Sequence, residues 1–248
     1  MGKRLVMPAL APLFIAEFAH YRDVLVLGDD PRPGVPLCAL LAPDEFDRVL
    51  TRFGMRYPDS DRRGLASIWS KYYFSRLIPP AVAASLILDY CLPLDLDALQ
   101  LVLDEQGTPV AFKLPNPGRP WATKPTDTFQ RFHGLVEAHM RPFIDTVAGL
   151  ARVSSKVLWS NAGNYFEWLL GVLATALPQA DLSHGHDLLN ACNLGDGRRN
   201  PLYLPVHYVP VAGQTGMKRV RRVCCLRYRV GGLEYCASCP LLDRKHTP

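Results

Sequence analysis

Cys224-Cys225-Leu226-Arg227-Tyr228-Arg229-Val230-Gly231-Gly232-Leu233-Glu234-Tyr235-Cys236-Ala237-Ser238-Cys239 is the stretch around which the rest of the chain is arranged. It holds four of the seven cysteines, as an adjacent pair, ten intervening residues and a C-x-x-C pair. Leu226 to Val230 alternates apolar and basic residues, Gly231-Gly232 supplies the positive φ of a two-residue turn, and Leu233 to Tyr235 leads back. The spacing therefore predicts a β-hairpin. A hairpin returns Cys236 and Cys239 to the level of Cys224 and Cys225, so that four thiolates converge on one point. Three chemistries use such a point. Disulfides need an oxidising compartment. Structural zinc sites usually pair two C-x-x-C-like knuckles, and here only the second half has that form. A two-iron cluster divides four cysteines between its irons and tolerates looser spacing, which suits the vicinal pair better. Spacing alone leaves all three open.

The pattern Cys-Cys-x10-Cys-x2-Cys, without insertion or deletion over residues 224–239, resembles the signature of the FhuF-type ferric-siderophore reductases. Chain length, the Trp159-Ser160-Asn161 stretch on an expected helix, and the position of the motif late in the chain are also similar. The resemblance implies an oxidoreductase that holds a [2Fe–2S] cluster on Cys224, Cys225, Cys236 and Cys239, with no catalytic side chain beyond the cluster. It implies one-electron reduction of Fe(III) in hydroxamate siderophores, releasing Fe(II) for iron assimilation. The implied partners are a ferric siderophore as substrate and an unidentified electron donor. The family's substrate pocket has no sharp motif to carry over. Two other classes stand beside this reading: an iron–sulfur electron carrier or redox sensor, and a zinc-stapled binding module.

Lys218, Arg219, Arg221, Arg222, Arg227 and Arg229 concentrate positive charge beside the cysteines, in a chain of net charge +5. A basic run is ordinarily a solvated face or a nucleic-acid patch. Aromatic interleaving is modest and the net charge small, so no nucleic-acid partner is expected. Four thiolates on an oxidised two-iron core leave two net negative charges, and reduction adds a third. Arg221, Arg222 and Arg227 are thus expected to tune the cluster. Tyr228 and Tyr235 are candidates for a docking surface, or for ordinary cross-strand packing.

The 248 residues, 48% hydrophobic and 21% charged, suit a soluble globular protein. They are enough for one core with an appendage: a substrate-binding body over residues 1–212 and a cluster arm over 213–248, with a hinge at Gly213 to Gly216. Cys38, Cys91 and Cys192 sit singly in apolar surroundings and read as buried, inert thiols. Free thiols and a cluster together point to the cytoplasm. Met1 to Arg4 followed by Leu5 to Ala16 has the outline of a signal peptide. Pro8 and Pro12 interrupt it and no cleavage site follows, so it reads as a segment packed on the core. No apolar run approaches a membrane span.

The fold class expected is α+β, predominantly helical, with a small antiparallel sheet and a C-terminal cluster-binding hairpin. Phe14 to Leu27 is a buried helix or strand, and Asp29 to Pro36 a loop. Pro43 starts a helix whose apolar face is Phe46, Val49, Leu50 and Phe53, ending at Gly54. Residues 64–77 form an aromatic-rich helix broken by Pro79-Pro80, and Val82 to Tyr90 forms another. Leu99 to Leu103 and Val110 to Leu114 are paired strands, and residues 115–125 an irregular loop. Thr126 or Asp127 caps a helix carrying Phe129, Phe132, Val136 and Met140, with a kink at Pro142. Ser154 or Ser155 starts the longest helix, striped by Leu158, Ala162, Tyr165, Leu169, Leu173 and Leu177. Asp187 to Cys192 is helical, and Tyr203 to Val211 a strand.

Other chemistry is weaker. His184-Gly185-His186-Asp187 fits a helix start better than a metal site. His133 and His139 read as surface or satisfied core residues. Asn161, Asn164 and Trp168 form a polar–aromatic strip, read as hydrogen-bonded inside the protein before a pocket lining. No Gly-rich nucleotide motif occurs.

Overall fold

The computed structural model describes residues 7–14, 16–211 and 215–243. Of the Met1 to Ala16 leader, residues 7–14 pack on the core as expected: Pro8–Leu13 is a 3-10 turn, and Met7, Leu10 and Phe14 are buried. Part of the hinge at Gly213 to Gly216, and the boundary expected between 212 and 213, lie outside the described residues.

Strand β1 (Leu25–Leu27) and strand β2 (Gly34–Pro36) precede a short helix α1 (Leu37–Leu40) and helix α2 (Pro43–Gly54). The undecided Phe14 to Leu27 segment is thus a 3-10 turn over Ala16–Tyr21 and then β1, and β2 occupies the end of the expected loop. Helix α2 has the expected bounds and buries Phe46, Val49, Leu50 and Phe53, spaced on one helical face.

Helix α3 (Arg62–Ile87, 26 residues) corrects two expectations. It is the longest helix described, and it runs through Pro79-Pro80 without a break. Asp61 caps it, accepting from the Arg63 N–H at 2.8 Å. Each interior proline costs about 3 kcal/mol in an isolated helix, by removing one N–H and crowding the preceding turn. Leu77, Ile78, Val82 and Leu86 are all buried around the pair, and burial is worth about 1.5–3 kcal/mol per large apolar side chain. Tertiary packing of α3 along the helix over Ser155–Ala176 and the strand over Pro109–Leu114 therefore overrides the local break.

Strand β3 (Tyr90–Cys91) leads to β4 (Gln100–Leu103) and β5 (Pro109–Leu114), then β6 (Arg119–Pro120), which pairs with β3 across the expected loop. The β4–β5 hairpin forms as expected. Its turn is closed by Asp104 Oδ1, which accepts from the Gln106 and Thr108 N–H groups. The main sheet has the order β1-β5-β4-β2 and is mixed, not purely antiparallel, because β1 lies parallel to β5 with Leu25 opposite Phe112. A parallel neighbour needs a long crossover, supplied here by everything between residues 27 and 109.

Helix α4 (Thr128–Leu135) is capped by Asp127, passes through a π turn at Val136–Met140, and continues as α5 (Arg141–Ala151). The wide turn stands directly before Pro142, whose missing N–H cannot hold an α-helical bond. Helix α6 (Ser155–Ala176) and α7 (Ser183–Asn190) follow. The hairpin of β7 (Val206–Pro210) and β8 (Met217–Arg221) leads into the cysteine segment, which ends in a short helix α8 (Pro240–Asp243). Helices and small sheets together make an α+β fold, with α3 between α6 and the main sheet.

Candidate functional site

The cysteine segment is not a hairpin. Leu226 takes a left-handed conformation (φ 57°), Arg227–Arg229 forms a single 3-10 turn, and Gly232 (φ 73°) reverses the chain. The backbone groups that a hairpin would pair across its strands are bound by the body instead. Arg229 O accepts from the Asp61 N–H at 3.0 Å, and the Gly231 N–H donates to Ser60 Oγ at 2.8 Å. Ser67 Oγ donates to Cys225 O at 2.7 Å, and Ser160 Oγ to Val223 O at 3.3 Å. The Arg229 guanidinium meets Asp61 Oδ2 at 2.8 Å. The segment is thus seated on the start of α3 and on α6.

The four thiols arrive as two pairs. Cys225 Sγ lies 3.6 Å from Cys236 Sγ, and Cys224 lies within hydrogen-bond reach of Cys239. They do not converge on a single point: among the described residues no three His, Cys, Asp or Glu gather as tightly as one metal ion requires. Two thiol pairs match a donor set divided between two metal ions better than a lone tetrahedral zinc. Cys225 and Cys239 are buried, whereas Cys224 and Cys236 are half-buried. Hydrogen bonding with Cys236 lowers the Cys225 pKa to about 5, burial opposing it and the Arg221 and Lys71 charges adding to it. Cys236 moves the other way, through the same bond and burial. Burial raises Cys224 to about 11, and the Leu226 N–H, 3.4 Å from its sulfur, opposes that rise. This set of four thiols with adjacent cations fits a [2Fe–2S] group.

The basic run divides by strand alternation. On β8, Arg219 and Arg221 face α6. Arg219 donates to Asn164 Oδ1 at 2.9 Å and to Glu167 Oε2 at 2.6 Å, and Tyr208 donates to the other Glu167 oxygen at 2.5 Å. Arg221 donates from Nη2 to Asn161 Oδ1 at 2.6 Å and to Ser160 Oγ at 3.1 Å. Asn161 in turn donates to Ser67 and Ser70. The strip read on α6 is therefore hydrogen-bonded inside the protein at Asn161 and Asn164, with Ser160 joining the same network. Trp168 instead lines an apolar cavity of about 790 Å³ with Phe18, Ile87, Val172 and Leu177. None of the four cysteines lines that cavity, which meets the network at Glu167, Tyr208 and Arg219. Arg222 is exposed, its guanidinium 5.9 Å from the Tyr203 ring, and does not share the placement of Arg221. Arg227 is half-buried, and its backbone N–H serves Cys225. Tyr228 and Tyr235 stack with ring centroids 5.1 Å apart on the surface, not as a cross-strand pair.

Lys71 and Ser67, four residues apart on α3, escape sequence reading. Burial lowers the pKa of Lys71 and the Cys225 and Cys236 charges raise it, which sets this ammonium beside the thiols. Nothing local in an apolar helix marks it; only the docking of the distant segment does. His184 lies in the first turn of α7, its Nδ1 3.1 Å from the Thr128 hydroxyl. His139 is a satisfied core residue. Cys38 and Cys192 are exposed and Cys91 half-buried, against the expectation of buried thiols. At Cys38 the reason is plain: Leu37 and Leu40 take the inward positions of α1.

Comparison with known proteins agrees with this architecture. The family described as "Ferric iron reductase FhuF-like transporter" matches residues 67–216, and the "FhuF 2Fe-2S C-terminal domain" matches residues 221–241. A protein of Escherichia coli (strain K12) named "Ferric siderophore reductase" is 25% identical over 246 residues, covering 94% of this chain and 91% of the relative. No helix among the described residues is long and apolar enough to cross a membrane. The first family match spans more than half the chain and the second falls on the paired thiols, so the protein belongs to the FhuF-like ferric iron reductases and carries their [2Fe–2S] domain.

Proposed function

We propose that the protein is a cytoplasmic ferric-siderophore reductase, which reduces Fe(III) in hydroxamate siderophores and releases Fe(II) for iron assimilation. The observation that carries the reading is the pairing of four thiols against the buried cation Arg221, with Cys224 and Cys236 left half-exposed. In this reading Cys224, Cys225, Cys236 and Cys239 hold the cluster, and residues 1–212 form the substrate-binding body. When bound, a [2Fe–2S] group supplies one electron at a time.

The chain's own residues do the rest. Ser67 and Ser160 fix the carbonyls flanking the vicinal cysteines. Arg221 and Lys71 supply a positive potential that favours an added electron. Tyr228 and Tyr235 offer a stacked surface on which a chelate can rest. Siderophore oxygens are hard donors that hold Fe(III) far more tightly than Fe(II), so one electron frees the metal and no general acid is needed. The name of the E. coli relative supports the substrate class. Seven cysteines without a disulfide support a reducing compartment. A separate electron donor must recharge the site.

Reduced protein mixed anaerobically with a ferric hydroxamate is expected to lose one electron per iron, with a ferrous chelator capturing the product. A ferric catecholate run in parallel tests the hydroxamate preference. Reoxidation by oxygen alone, never by a chelate, overturns the reading.

A further inference from the structure

Arg221 is 1% exposed, yet its Nε–H has no hydrogen-bond partner. Its Nη2 is committed to Ser160 and Asn161, and Asn161 is itself locked by Ser67 and Ser70. Its backbone N–H donates to Ser238 O at 3.0 Å, inside the Cys236–Cys239 turn. Arg221 is therefore anchored at its backbone to the Cys236–Cys239 turn and at its guanidinium to α6. No carboxylate pairs with it among the described residues; the nearby groups that favour its charge are chiefly Cys225, Cys236 and Cys224. Its neighbours in the run differ. Arg219 has Glu167, Arg229 has Asp61, and Arg222 lies in solvent. Arg227 also has a buried, unpartnered Nε, but its side chain is only half-buried.

A buried cation without a counter-ion is destabilising, and a buried donor without an acceptor adds to that cost. Both deficits vanish when an anionic group with sulfur acceptors occupies the space between the thiols. Hydrogen bonds to cluster sulfur raise the reduction potential, because the reduced state carries more charge on sulfur. We propose that the Arg221 Nε–H donates to a sulfur of the bound cluster, making Arg221 the positioning residue that seats the cluster and sets its potential, while Arg222 does neither. This rests on the reading that the four cysteines hold the cluster.

The test compares the wild type with Arg221→Gln, Arg221→Lys and Arg222→Gln, each reconstituted anaerobically with iron and sulfide. Failure of the wild type to bind iron and sulfide would refute the cysteine reading itself, a result distinct from any failure of the Arg221 role. Arg221→Gln is expected to lower the reduction equilibrium constant at least tenfold, about 59 mV for one electron. Arg222→Gln should change it less than twofold. Resonance Raman Fe–S bands of the wild type should shift in D2O, and part of that shift should vanish in both Arg221 variants. A loaded Arg221→Gln protein with an unchanged potential overturns the proposal, as does a loaded Arg221→Lys protein with the full D2O shift. Should Arg221→Gln fail to load, the cluster-free proteins decide. With an uncompensated cation removed, its apo form should be at least as stable to urea as the wild-type apo form. A less stable apo variant would assign Arg221 to the polar network alone.

Discussion

Arg221 and Arg222 are chain neighbours with opposite fates: Arg221 is the last residue of β8 and its side chain is buried, whereas Arg222 lies just past the strand's end and is exposed. The same residue-level separation holds for the cysteines. Four meet in two pairs, and Cys38, Cys91 and Cys192 stand elsewhere in differing exposure. If the paired thiols are the ligands, serine at Cys224, Cys225, Cys236 or Cys239 should bleach most of the visible absorption, since a hydroxyl is a harder, far less acidic ligand than a thiol. Serine at Cys38, Cys91 or Cys192 should leave it unchanged. An intact spectrum in a Cys236→Ser, Cys239→Ser double variant would sink the ligation.

At the scale of elements, the cysteine segment trades hairpin pairing for docking on α3. Its alternation of Leu226 to Val230 is real in sequence, but a two-stranded ribbon alone is marginally stable in water. Asp61, Ser60 and Ser67 satisfy its backbone within one seat. Gly231 is where that seat is tightest: a Cβ there would lie 1.8 Å from Pro58 O, a backbone atom that cannot swing aside. Gly231→Ala should therefore lift the loop and destabilise the loaded protein by about 1–3 kcal/mol. Cluster loss to an iron chelator should quicken accordingly. Gly232→Asn, which keeps a residue tolerant of positive φ, should lose its cluster nearly as slowly as the wild type. Equal rates for Gly231→Ala and the wild type would show that the loop is not held by this contact.

At the scale of the whole molecule, α3 joins the sheet, α6 and the cluster seat, and one buried histidine reports on that core. His139, in the π turn, is 0% exposed. Its Nε2 lies 2.6 Å from the Tyr73 hydroxyl and its Nδ1 2.7 Å from Leu94 O. A neutral ring satisfies both, with Nδ1–H donating to Leu94 and Nε2 accepting from Tyr73. Burial lowers its pKa to about 4. The unfolded chain takes up the proton near pH 6.5 and the folded one only near 4, so stability rises with pH across that window. The contribution is complete above about pH 6.5 and is lost as pH falls to about 4, amounting to roughly 3 kcal/mol. Urea midpoints measured from pH 4 to 8 should show this slope, and His139→Gln should flatten it. An equal slope in the variant would place the titration elsewhere.

What the sequence determined by itself was whatever depends on short spacing. The cysteine spacing narrowed the site to three thiol chemistries, and its resemblance to a known family implied the cluster. The face of α2 and the β4–β5 hairpin follow from periodicity and turn chemistry, which are local. The tertiary structure alone decided which long-range partner satisfies each buried group. Pro79-Pro80 stays helical because α6 and β5 bury its surroundings. β1 pairs parallel with a strand more than eighty residues away. Lys71, Ser67 and Asn161 join the site only because the cysteine loop docks on two helices far upstream. Burial and counter-charge are properties of the assembled core, and no window of sequence contains them.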